Sequence, residues 1–156
     1  MKKWFFLTTL FVLSFSSCKM ENAADNPNMP EIYGVGAETD GTEQNPYVPS
    51  GRMVRVQAEL KNTVGVFYAQ TIYDVTWTDE DGKHTEQYNT LTRTYRPSAS
   101  SVYYEALIPG LDAQSKRAEL TVTWLISVKN DSGYESRSEP KSYTVRWQDI
   151  DIETQE

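Results

Sequence analysis

The chain has 156 residues, with 15 Lys and Arg against 22 Asp and Glu, one Cys and one His. That length suits one folded domain, and a net charge of -7 argues against a nucleic-acid partner, whose phosphates require a basic stripe. One Cys and one His exclude an internal disulfide and a structural zinc site, while ten Tyr, five Phe and four Trp exclude a disordered tail.

The chain opens with the basic Met1-Lys2-Lys3, followed by an apolar run from Trp4 to Phe15. As a helix at about 1.5 Å per residue the run covers about 18 Å, well short of the ~30 Å hydrocarbon core of a bilayer. Residues 1–17 therefore read as a signal peptide and not as a membrane span. Ser16 and Ser17, small as a peptidase requires, precede Cys18, the single cysteine. This junction resembles the lipobox of bacterial lipoproteins, with Phe15 at the position where such boxes usually carry Leu. The resemblance implies cleavage before Cys18, acylation of its thiol, and a membrane partner held through the acyl chains, with the outer membrane and its exposed face as the expected location. Two or three acyl chains anchor durably where one does not, at about 0.8 kcal/mol per buried CH₂. Loss of Lys2 and Lys3 with the leader leaves 13 basic against 22 acidic residues, a net charge of -9, so anionic head groups add nothing to attachment.

Residues 18–30 carry no hydrophobic period and read as a solvated tether; Glu21 and Asp25 form a short acidic patch of the kind that accompanies surface export. From Glu31 the pattern changes to period two, with no helical window. An opening strand near Ile32–Ala37 is followed by Val54, Val56, Ala58 and Leu60 alternating with polar residues. The run from Phe67 to Trp77 exceeds the usual strand length and predicts a bend or bulge within it. Asp81-Gly82 predicts a hairpin turn, after which His84–Tyr95 returns as a Thr-rich edge strand. Val102–Ile108, Leu120–Val128 and Tyr143–Trp147 complete about seven strands, the pattern of an all-β two-sheet sandwich over residues 31–148, with an acidic tail at 149–156. The stretches Val48-Pro49-Ser50-Gly51, Ile108-Pro109-Gly110-Leu111, Val128 to Gly133 and Tyr143-Thr144-Val145 are similar to immunoglobulin-like and fibronectin type III modules, although Leu120 stands near where the latter carry a tyrosine corner. The resemblance implies an immunoglobulin-like sandwich and no particular activity.

Candidate chemistry is sparse. His84 follows an exposed turn and reads as a solvated residue without a nucleophile motif beside it. Asp79, Glu80 and Asp81 lie together on that turn and Asp149, Asp151 and Glu153 in the tail, adjacent in sequence where a glycosidase pair would face each other across a cleft. An EF-hand begun at Asp79 fails at its twelfth position, Thr90, so no metal and no cofactor is implied. Tyr68, Tyr88, Tyr103 and Tyr134 fall on outward, edge or turn positions and are the candidate stacking residues. The expectation is a non-enzymatic, lipid-anchored envelope module that binds a glycan, or alternatively docks an envelope protein.

Overall fold

The computed structural model describes residues 29–61, 65–96 and 101–147, in which eleven strands and one short helix follow one another. The leader, Cys18, residues 19–28, the loop residues 97–100 and the tail acids Asp149, Asp151 and Glu153 lie outside the described residues. In chain order the strands are β1 (Glu31–Ala37), β2 (Asp40–Thr42), β3 (Asn45–Pro49), β4 (Val54–Lys61), β5 (Phe67–Asp79), β6 (Gly82–Asn89), β7 (Arg93–Tyr95), β8 (Ser101–Ile108), β9 (Leu120–Asn130), β10 (Glu135–Arg137) and β11 (Lys141–Arg146). Helix α1 (Ala113–Lys116) lies between β8 and β9.

Period-two alternation becomes two faces per strand. In β4, Val54, Val56, Ala58 and Leu60 are buried while Arg55 and Glu59 are exposed, so a sheet containing this strand must meet a second one. One sheet has the order β1-β4-β8; the other runs β2-β3-β11-β9-β5-β6, with β7 also on β5 and β10 also on β9. The pairs are antiparallel except β3 with β11. The seven long runs divide with the first, second and fifth in one sheet and the rest in the other, an all-β sandwich of two sheets. Between the sheets lie Leu60, Phe67, Tyr104, Ile108, Leu120 and Ile126, all at most 1% exposed, each contributing about 1.5–3 kcal/mol by burial. Tyr104 of the small sheet and Thr71 of the large one share a buried hydrogen bond of 2.9 Å between their hydroxyls.

Three expectations are corrected. The predicted strand 84–95 is two strands, and β2, β3 and β10 add three short ones, giving eleven in place of seven. No bulge interrupts 67–77: β5 pairs with β9 in unbroken register from Phe67↔Asn130 to Thr76↔Thr121. The irregularity lies in its partner, where Ile72 pairs with Asn89 but Ala69 with Arg93, one residue more than a continuous ladder allows. Leu91, in that extra loop, is 90% exposed.

The strands give the molecule two poles. Pro30, whose carbonyl accepts from Ser136 Oγ, enters at the pole that holds the start of β5 and the end of β9. The hairpin loop of Glu80 and Asp81, between Asp79 and Gly82, lies at the other. At that far pole the β3–β4 and β8–α1 connections are locked together: Ala113 N–H donates to Ser50 Oγ (2.9 Å) and Gly51 N–H to the Leu111 carbonyl (2.9 Å).

Candidate functional site

The outer face of the small sheet carries the most exposed aromatic pair. Register places Tyr33, Glu59 and Tyr103 in one row across β1, β4 and β8. Tyr33 is 45% and Tyr103 57% exposed. Two interstrand spacings put their backbones about 10 Å apart. Tyr103 donates its hydroxyl proton to Gln57 Oε1, and Lys61 Nζ lies 3.6 Å from Glu59 and 4.8 Å from the Tyr33 ring centre. Arg55 stands between Glu38 (3.6 Å) and Glu105 (3.7 Å), and Leu107 is exposed beside them. The face therefore offers two flat rings with an amide, a carboxylate and an ammonium between and beside them, groups suited to stacking on and hydrogen-bonding a hydroxylated ring.

Sequence reading finds Tyr103 but misses Tyr33. The register of β1 shifts between Tyr33 and Gly36, with Gly34 at φ +58°, so Ile32, Val35 and Ala37 all pack inward and no period-two signal assigns Tyr33 a face.

The other tyrosines expected to stack are not on this surface. Tyr68 lies on the outer face of the large sheet, beside Lys129 and Thr94. Tyr88 stacks on buried Tyr73 at 5.5 Å and donates to Glu86, which pushes its own hydroxyl above the ordinary tyrosine range; it caps the core at the edge strand β6. Tyr134 follows the β9–β10 turn, its N–H donating to Asn130 Oδ1.

A concavity of about 470 Å³ opens at the side of the sandwich where the end of β1 faces β11. Trp124 and Tyr143 form its floor, Ala37 and Thr39 one wall, and Glu43 and Lys141 its rim. The floor residues are 2% and 3% exposed. Neither the Tyr143 hydroxyl nor Trp124 Nε1 has a hydrogen-bond partner among the described residues, and neither is sealed from solvent. Burial pushes the Tyr143 hydroxyl well above the usual tyrosine range.

His84 is not the freely solvated residue the sequence suggests. The Asp79↔Gly82 register sets it opposite Trp77, on which it stacks at 5.1 Å, and its Nε2 lies 2.8 Å from Asp79 Oδ1. That hydrogen bond, with the Asp81 N–H, holds the Asp79 carboxyl below its ordinary range. Lys116 Nζ sits 3.8 Å from the Trp77 ring centre. Together these contacts close the hairpin over the core. Among the described residues no group of three or more His, Cys, Asp or Glu is placed to hold a metal ion.

The described residues thus define an all-β sandwich with one exposed aromatic row and one side cleft. No family model and no curated protein matches the sequence. Among solved structures, the chain is similar to an alkylpurine DNA glycosylase, AlkC, of Pseudomonas fluorescens bound to DNA with an abasic site analogue (TM-score 0.44, 10% identity, 76% of this chain and 30% of that one). It is also similar to the sporulation control protein Spo0M of Bacillus subtilis (TM-score 0.38, 10% identity, 77% and 50%). A third likeness is to AvmM, which catalyses macrocyclization in alchivemycin A biosynthesis (TM-score 0.26, 7% identity, 76% and 92%). The chain spans half or less of the first two of these proteins. At these scores the likenesses bear on neither fold nor function, and the fold rests on the strand pairing above.

Proposed function

We propose that this chain is a lipid-anchored envelope protein, tethered through Cys18 to the outer membrane and facing outward, whose sandwich is a non-catalytic glycan-binding module. The supporting observation is the Tyr33–Glu59–Tyr103 row, two rings about half exposed on one flat face with Gln57 and Lys61 beside them. Stacking supplies the affinity and the neighbouring polar groups the orientation. A glycan array probed with the full chain tests it. The expected result is a saturable hit that Tyr33→Ala and Tyr103→Ala each weaken about tenfold, a loss of about 1.4 kcal/mol. Arrays without a hit, or hits that both variants retain, would sink this reading.

The anchor is tested separately. Cys18→Ala is expected to move the protein from the membrane to the soluble fraction; a variant that stays with the membrane removes the lipid from the account. The alternative role, docking of an envelope protein, is favoured by β8, which ends the small sheet and presents Tyr103 and Leu107 outward, the geometry of strand addition. Capture of an outer-membrane protein by the intact lipoprotein, lost on Leu107→Lys, would select that role.

A further inference from the structure

We propose that the side cleft is a second binding site, for a carboxylate-bearing sugar ring of the uronic-acid type. It stands apart from the tyrosine row, and either site can fail alone. Three observations converge on it. First, the Tyr143 hydroxyl and Trp124 Nε1 have no protein partner among the described residues and are not sealed from solvent, and both residues, otherwise buried, line the same cleft. Second, the free groups are donors. Trp124 offers only an N–H, Tyr143 an O–H, and Lys141 at the rim is a cation with no ion-pair partner among the described residues. A ligand that answers them is rich in acceptors and sets an anionic group against Lys141. Third, the floor is aromatic and the volume of about 470 Å³ falls in the range of small-molecule sites, large enough for one sugar ring. Register explains why these groups meet. Lys141 pairs with Trp124, and Tyr143 follows two residues on along the same face of β11, opposite the end of β1. Glu43 shares the rim and opposes the ligand charge, which sets the sign of one test.

The test is calorimetric titration of the full chain, in detergent micelles, with D-galacturonate, D-galactose and acetate. Galacturonate is expected to saturate, with galactose and acetate each at least about tenfold weaker, a difference of about 1.4 kcal/mol. Tyr143→Phe, which keeps the ring, and Lys141→Met, at an exposed position, are each expected to weaken galacturonate several-fold. Ala37→Leu fills the cleft and abolishes binding, Glu43→Gln tightens it, and a Tyr33→Ala/Tyr103→Ala double variant leaves it unchanged. Equal affinity for galactose or for acetate, no saturation, or unaltered binding by Ala37→Leu would overturn the proposal. Loss of galacturonate binding in the tyrosine-row variant would assign the ligand to the row instead and equally overturn the cleft site.

Discussion

Tyr104 and Tyr143 are both buried, and their hydroxyls have opposite fates. Tyr104 OH bonds Thr71 Oγ1 at 2.9 Å and stands 3.5 Å from Thr90 Oγ1; Tyr143 OH has no protein partner among the described residues. Removing one member of a buried pair strands the other, so Tyr104→Phe is expected to cost about 1–3 kcal/mol in urea unfolding. The Thr71→Val/Tyr104→Phe double variant should cost less than the sum of its parts, because neither partner is then stranded. Tyr143→Phe strands nothing, and its melting temperature is expected to equal or exceed the parent's. Three surface carboxyls set the acid response. The His84 hydrogen bond lowers Asp79, the Ser115 N–H lowers Asp112 at the start of α1, and Arg137 lowers Glu135. A folded value below the unfolded one stabilises the protein above the unfolded value, about 3.9 for Asp and about 4.3 for Glu, and this is lost as pH falls through the folded value. Thermal melts are therefore expected to be insensitive to these groups above about pH 5 and to fall below about pH 4, with a shallower acid limb in Asp79→Asn. An acid limb unchanged by that substitution would remove Asp79 from the explanation.

Strands were legible in the sequence where one face is buried and the other wet, because only then does side-chain chemistry alternate. The runs at 54–60, 67–77, 102–108 and 120–128 fall within β4, β5, β8 and β9 for that reason. β2, β3 and β10 were not legible. They are three to five residues long and mostly polar or half-exposed, so their only signature is backbone pairing with a distant strand. The cleft was equally hidden, since it joins residues near 37, 124 and 143 that only the β9–β11 register and the overhanging end of β1 bring together. The environment of His84 depends on one pairing, Trp77↔His84, that composition does not state. Between elements, Gly110 shows what the Pro109-Gly110 signal serves. A Cβ there would lie 2.1 Å from the Gly51 carbonyl oxygen, backbone against backbone, so the β8–α1 and β3–β4 connections meet only through glycine. Gly110→Ala is expected to destabilise by about 2 kcal/mol or more, in the range of overpacked sites. A denaturation midpoint like the parent's would show that the two connections move apart freely.

At the scale of the molecule, the chain enters near Pro30 at one pole and carries the Asp79–Gly82 hairpin at the other. The run of β5 between them, at about 3.3 Å per residue, spans roughly 40 Å. With the anchor proposed at Cys18, a spin label at Asp131 is expected to be relaxed by lipid-borne quenchers, and one at Asp81 to be silent. Equal quenching at both sites would mean that the sandwich lies flat. The acidic Asp79, Glu80 and Asp81 then point away from the bilayer, where they meet no anionic lipid.

The entry point has a mechanical meaning as well. Chain tension applied at Pro30 acts on the first residue of β1, along a strand joined to β4 by a ladder from Glu31↔Lys61 to Ala37↔Val56. A pull in that direction slides β1 past β4, so the bonds of the ladder bear the load side by side and must yield together, where a pull across the strand would unzip them singly. With the anchor proposed at Cys18 and a glycan proposed on the row of Tyr33 and Tyr103, the domain is strongest along the line on which that attachment would tug it.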